Sequence, residues 1–308
     1  MSGEAHILGS GQMEPPAGEI RFLFLPGRDL FARRALRLRH LSKDHPLRDY
    51  LAFLALLADA QQHVLNQFSA LSLPDQNEQA LCRSHGMPLL DSRSRPRNPT
   101  WREGLEKILQ QMRVAALPPA ARATVDSLMH AGKNGLEEMA DRILAGDFAD
   151  ISPQELPFVA AALQVYWVHM ASSLREDAFG RLEKGGLCPV CGSLPIAGIV
   201  SSAGAKPGLR YLSCSLCASE WHMVRIKCST CESTNGINYF TLEGSNGAVK
   251  AESCDNCNFY LKLFYLEKDA QMEVVADDVA TLALDILMDK EGKARGGPNL
   301  VFHPGQAR

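Results

Sequence analysis

The sequence predicts an α+β multidomain protein: an N-terminal all-α helical domain, then two tandem four-cysteine metal modules, then a C-terminal helix. Three observations carry that expectation. Eight of the nine cysteines fall into four Cys-x-x-Cys pairs between residues 188 and 257. The long stretch before them repeats apolar residues at threes and fours, as helices do, and short β-branched or aromatic runs lie between the pairs. The expected division is 1–20 flexible N-terminus, 21–174 helical domain, 186–226 first four-cysteine module, 227–270 second four-cysteine module, and 271–308 C-terminal helix and tail.

Residues 1–20 are rich in Gly, Pro and Glu without apolar period, and the run Phe22 to Leu25 leads into the turn signal Pro26-Gly27. Asp29 is placed to cap a helix through Leu41, with Phe31, Ala35, Leu38 and Leu41 on one face. Arg33, Arg37 and Arg39, with Arg28 and Arg34 nearby, read as a solvated basic face, an acidic partner being the alternative. A longer helix follows Pro46, carrying Leu47, Tyr50, Leu51, Leu54, Ala58, Gln61, Leu65 and Phe68. Residues 71–100 read as a connection with one turn of helix, and Cys82 as a structural cysteine. Further helices are expected over 101–112, from Pro118-Pro119 to Met129, and from a capping box at Asn134/Glu137 to near Gly146. The last of this domain opens at Ser152-Pro153 with Glu155, unless Pro157 shifts its start by a turn, and carries His169 as a core histidine. Arg175 to Gly186 reads as a linker.

The pairs are Cys188/Cys191, Cys214/Cys217, Cys228/Cys231 and Cys254/Cys257, so the unit Cys-x2-Cys-x22-Cys-x2-Cys occurs twice, offset by 40. Ser193 and Ser233, Arg210 and Lys250, and Ser213 and Ser253 keep the same offset, which marks a duplicated module. Two cysteines on a tight turn aim both sulfurs at one point, and a second such knuckle closes a tetrahedral four-sulfur cage suited to zinc or a single iron. Equal spacers favour sequential cages over cross-braced ones. No signal peptide is recognised, and a cytosolic setting disfavours structural disulfides. Strands are expected at 208–212, 221–226, 237–242 and 259–266, with tight backbone at Gly192 and Gly236. An amphipathic helix with Val279, Leu282, Ala283, Ile286 and Leu287 inward covers 277–288, and the last twenty residues read as frayed.

Cys188-Pro-Val-Cys191-Gly192 has the form of a rubredoxin knuckle. Together with Leu209 to Leu212, Cys214 to Cys217, Glu220-Trp221-His222, Arg225 to Cys228 and Lys250 to Cys254, it resembles the FdhE family of formate dehydrogenase accessory proteins. The resemblance extends to Asp44 to Leu51 and Glu267 to Asp278. It implies rubredoxin-like or zinc-ribbon modules with two mononuclear metal ions, iron favoured and zinc an alternative. It also implies a cytoplasmic factor that acts on the catalytic subunit of a respiratory formate dehydrogenase before export. The second module lacks the Pro and Gly of the first, which leaves its metal more open.

Other function classes fare worse. Residues 186–269 hold seven Lys/Arg and seven Asp/Glu, and two metal cages of four thiolates each add net negative charge, opposite to what phosphate contacts need. A zinc-ribbon nucleic-acid binder is therefore disfavoured, as the overall charge of −3 also suggests. A rubredoxin-like electron carrier is the main alternative, but no flavin, nicotinamide or molybdenum site accompanies the cysteines, and a simple carrier needs no large helical domain. No Walker loop, dinucleotide fingerprint, His-Glu-x-x-His or nucleophile elbow occurs, so no catalytic residue and no enzyme activity is assigned. The longest apolar run, Leu51 to Ala58, is too short for membrane insertion. Partner contacts are expected around Trp221, His222 and Arg225, the alternative being that Trp221 is module core.

Overall fold

The computed structural model describes residues 20–200 and 208–302, so the expected flexible terminus (except residue 20) and the final six tail residues lie outside the described residues. Among the described residues seven α-helices precede the cysteine region: α1 Leu30–Leu41, α2 Arg48–Asn66, α3 Gln76–Ser84, α4 Thr100–Val114, α5 Pro119–Met129, α6 Lys133–Ala145 and α7 Leu156–Ser172. Their centre is α7, whose sequence LPFVAAALQVYWVHMAS is buried all round and packs against α2, α4 and α6. No helix among the described residues is long and apolar enough to cross a membrane.

Local chemistry moves several boundaries. The α7 helix begins a turn after Ser152, at Glu155, so Pro157 sits in the first turn where its missing N–H costs nothing. The α6 helix begins at Gly132, before Asn134, because Glu137 is taken up elsewhere: it accepts from the Trp101 indole at 3.0 Å and pairs with Arg97 and Arg102. Asp75 caps a full helix α3, its carboxylate accepting from the Glu78 N–H at 2.8 Å, where a single turn was expected. Asp29 precedes α1 without a side-chain cap bond and pairs with Arg33 at 3.3 Å instead.

The cysteine region folds as one eight-stranded sheet among the described residues. Its strands are β1 Leu23–Phe24, β2 Pro195–Val200, β3 Arg210–Cys214, β4 Glu220–His222, β5 Ile237–Phe240, β6 Val249–Cys254, β7 Phe259–Tyr265 and β8 Ala294–Arg295. The order is β1-β4-β3-β2-β7-β6-β5, with β8 against β7. The 40-residue repeat is visible in it: β2, β3 and β4 correspond to β5, β6 and β7, and Cys214 and Cys254 both end the middle strand of their module. Within each module pairing is antiparallel; the modules join through a parallel pair, Gly198↔Leu263 to Val200↔Tyr265.

The C-terminal segment forms two helices, α8 Val274–Ala280 and α9 Leu282–Lys290, in place of the single expected one. Leu284 and Met288 face inward on α9, whereas Ile286 is exposed. The tail is docked rather than frayed: Leu300 and Val301 are buried and the Val301 carbonyl accepts from Tyr50 at 2.7 Å. The basic stripe of α1 divides: Arg28, Arg33 and Arg39 are exposed, as expected of a solvated face, whereas Arg34 and Arg37 are turned inward. Arg34 is buried and bonds Glu273 at 2.9 Å, and Arg37 bonds Asp277 and Asp269, each at 2.6 Å. The acidic partner of those two arginines is this chain's own 269–277 segment, while Arg33 and Arg39 pair with Asp29 and Asp59.

Candidate metal centres

All eight paired cysteines come together as two groups, Cys188, Cys191, Cys214 and Cys217 in one and Cys228, Cys231, Cys254 and Cys257 in the other. This is the sequential arrangement. In each group the sulfurs lie within 4.8 Å of one another. Closest approaches are 3.4 Å (Cys191 to Cys214) and 3.6 Å (Cys188 to Cys217) in the first, and 3.6 Å for both Cys228 to Cys257 and Cys231 to Cys254 in the second. A tetrahedral cage with metal–sulfur bonds of about 2.3 Å puts its sulfurs about 3.8 Å apart, so the donor set fits one ion per group. Each group could hold a zinc or a single iron; four sulfurs suit both.

The knuckles are built alike. The residue after each second cysteine has a left-handed backbone: Gly192 (φ 74°), Ala218 (56°), Glu232 (61°) and Asn258 (59°). Only at the first does the sequence offer glycine; Asn258 also suits the left-handed region, whereas at Ala218 and Glu232 the turn forms against the side-chain preference. The left-handed turn lets the N–H of Gly192, Glu232 and Asn258 reach the carbonyl of the preceding pair's first cysteine at 2.8, 3.1 and 2.9 Å. The N–H groups of Cys188, Cys214 and Cys228 donate to the carbonyls of Ser193, Ser219 and Ser233 at 3.0, 2.9 and 2.8 Å. Amides also point at sulfur: Leu216 and Cys217 donate to Cys214 Sγ, and Thr230 to Cys228 Sγ, each at 3.4 Å. Burial pushes the Cys188 and Cys214 thiols well above their ordinary range. It pushes Cys191 up as well, but hydrogen bonds from the three neighbouring thiols pull that sulfur well below it. Binding of a cation to such a cage displaces the remaining protons.

The first centre is set into the helical core. The connection after α3 roofs it, Leu90 and Ser92 donating to the carbonyls of Val190 and Cys191 at 2.9 Å each. Trp167 on α7 holds that roof by donating to the Leu90 carbonyl at 3.0 Å, and Gln164 donates to the Ser215 carbonyl at 2.9 Å. Gln164 in turn accepts from Gln61 and Arg34, both at 3.2 Å. These supporting residues carry no motif. Their only sign in the sequence is a polar residue among apolar ones, Gln164 on the otherwise apolar α7 and Gln61 on the buried face of α2.

Trp221 is core: it is 1% exposed and its indole donates to the Gly185 carbonyl at 2.8 Å. It cannot touch a partner. His222 is half-buried against Tyr211, and Arg225 is exposed in the loop after β4 with Val224 and Ile226. The linker is also docked, since the Gly185 N–H donates to Glu232 at 2.8 Å and Arg181 stacks on Phe22. Cys82 is half-buried, away from both groups, and His169 packs 4.9 Å from Phe68 with burial depressing its basicity.

Glu220, which precedes Trp221, has its carboxyl pushed up from 4.5 to about 7, chiefly by burial, with Arg33 opposing and Glu273 adding to the rise. A folded-state value above the unfolded one means almost no penalty below about pH 4, one that grows between 4.5 and about 7, and a full one above that. Glu220→Gln should therefore leave stability at pH 4 nearly unchanged and raise it at pH 8 by about 1–3 kcal/mol, discounted for partial exposure. Denaturant midpoints at the two pH values check this; an equal change at both contradicts it.

Family models cover almost the whole described chain: "FdhE, N-terminal" matches residues 20–183, "FdhE, central domain" 187–225 and "FdhE, C-terminal domain" 226–302. The chain is 46% identical to the Protein FdhE homolog of Serratia proteamaculans (strain 568) over 286 residues, 92% of this chain and 91% of the relative. It is 44% identical to the homolog of Enterobacter sp. (strain 638) over 288 residues, with the same shares covered. Among solved structures it is similar to the crystal structure of the FdhE protein from Pseudomonas aeruginosa, with a TM-score of 0.85 and 41% identity over 93% of this chain and all of that one. Helices, duplicated cysteine modules and C-terminal helices thus match along their full length, and the chain belongs to the FdhE family.

Proposed function

We propose that this chain is a cytoplasmic accessory protein that binds the catalytic subunit of a respiratory formate dehydrogenase before its export, is absent from the mature enzyme and is not itself an enzyme. It carries two mononuclear metal ions, iron favoured and zinc the alternative, on Cys188, Cys191, Cys214 and Cys217 and on Cys228, Cys231, Cys254 and Cys257. The observation that supports this most is full-length membership of the FdhE family together with two complete four-sulfur donor sets.

The chain's own residues hold and orient the metal-bearing knuckles rather than convert a substrate. Gln164, Trp167 and Ser92 fix the first pair of knuckles against the helices, and Arg210 positions the loop that leads to the second. Partner contact falls to the exposed face beside the second centre, where Val224, Arg225 and Ile226 stand out. Deleting the gene should abolish formate oxidation by the respiratory enzyme while leaving its transcript and unrelated molybdoenzymes intact. Normal formate oxidation in a strain with no second copy would contradict the reading.

A further inference from the structure

The two centres share ligands and backbone geometry but not surroundings. In the first, Cys188, Cys191 and Cys217 are 0% exposed and Cys214 is 3% exposed. Its knuckles are roofed by Leu90 and Ser92 and tied from below by Gln164. In the second, Cys228 and Cys254 are buried, Cys257 is half-buried and Cys231 is exposed. Around Cys231 the neighbouring Thr230, Thr234 and Asn235 are exposed too. The ties to the rest of the fold gather on the Cys254/Cys257 side, where Lys293 bonds Asp255 at 2.8 Å and the Ala294 N–H donates to the Asn258 carbonyl at 2.8 Å. The Cys231 knuckle is held by Asn256 to Ser233 Oγ at 3.0 Å and by Glu232, which pairs with Lys227 at 2.7 Å and accepts from the Gly185 N–H. The loop that enters this centre is unusual as well. Ile226, two residues before Cys228, is exposed and has φ 57°, a conformation costly for a β-branched residue.

We propose that the second centre is a ligand-exchange centre in which Cys231 is the yielding ligand, and that an external thiolate takes its place; the first centre is closed and structural. This rests on the reading of both groups as metal-holding. A closed tetrahedral cage exchanges ligands only after its surroundings open, whereas a cage with one solvent-facing sulfur can be approached from that side. The balance is simple. With an ion held by the four cysteines, an external thiolate would form one metal–sulfur bond as the bond to Cys231 breaks, the freed Cys231 thiolate would take a proton from solvent, and no electron would move. The metal stays held by Cys228, Cys254 and Cys257, two of them buried. The geometry suits a centre that engages a cysteine of another molecule without losing its ion, while the first keeps the sheet fixed to the helices.

The test uses the full-length chain loaded with two equivalents of cadmium-113 and titrated with glutathione, followed by cadmium NMR and by iodoacetamide labelling read by mass spectrometry. Two resonances are expected, only one of which shifts with glutathione. Cys231 should become alkylated about 100-fold faster than Cys188, Cys191, Cys214 or Cys217, with both metal equivalents retained. Cys231→Ser should retain two resonances and show the glutathione response at lower glutathione concentration, since the position the external thiolate takes is no longer held by a cysteine, and should remain folded because Cys231 is exposed. If both resonances respond alike, if neither responds, or if labelling begins in the first centre, the proposal is overturned while the metal reading stands. If fewer than two equivalents bind, the metal reading fails and this proposal falls with it.

Discussion

Cys214→Ser should prevent the chain from folding, whereas Cys257→Ser should cost it one metal ion and leave the helices intact. Both changes remove one of four thiolates, so the ligand chemistry is the same and the difference lies in what each centre supports. Cys188, Cys191, Cys214 and Cys217 belong to the same hydrophobic core as α7, together with Val190 and Leu216. Occupation of a structural four-cysteine site contributes on the order of 10 kcal/mol, comparable with the roughly 5–15 kcal/mol net stability of a whole domain. Losing it where the core is shared leaves nothing to offset the buried thiols. The second group lies outside that core, beside a smaller cluster of Ala251, Tyr260, Leu284 and Met288. Circular dichroism with metal analysis of the two purified variants decides. Equal loss of helix in both, or none in Cys214→Ser, would contradict the assignment of the first centre as the joint between helices and sheet.

The second large effect is expected at Arg210. Its side chain, 1% exposed, forms an ion pair with Glu252 across the junction of the two modules and donates to the carbonyls of Val224 and Lys227 at 2.9 and 2.6 Å. It thereby holds the loop that carries the chain from β4 into Cys228. Removing one partner of a buried pair leaves the other charge unpaired, so Arg210→Met should destabilise the protein by about 3–5 kcal/mol. The Arg210→Met/Glu252→Leu double variant should recover most of that loss, since no lone charge remains. Urea unfolding of the two variants checks both values. A double variant as weak as the single one would mean that the two carbonyl contacts, rather than the charge, matter.

The two four-cysteine groups were the most legible part of the chain, because a knuckle is a local object: two sulfurs and a tight turn are set by spacing alone. Helix positions were legible for a related reason, the 3.6-residue period of α2, α4 and α5 being carried by their own apolar residues. What depends on distant partners was not. Strand β2, the sequence PIAGIV, is a short apolar run whose burial comes from β3 on one side and β7, more than 60 residues away, on the other. Strand β6, VKAESC, looks polar because Glu252 is meant for Arg210. Arg34 and Arg37 of α1 read as solvated since their carboxylates lie more than 230 residues further on. Trp221 carried no sign of its burial, which follows from the linker carbonyl of Gly185 closing over its indole.

The central claim is that this chain meets the formate dehydrogenase catalytic subunit through its metal-bearing half. It is tested most directly by capturing the tagged chain from formate-respiring cells and identifying the bound protein by mass, for the wild type and for Val224→Glu/Ile226→Glu. The account predicts that the catalytic subunit is recovered with the wild type and lost or reduced at least about tenfold with the double variant, which should still fold since both side chains are exposed. Recovery of no catalytic subunit with the wild type, under conditions where that subunit is being made, would contradict it.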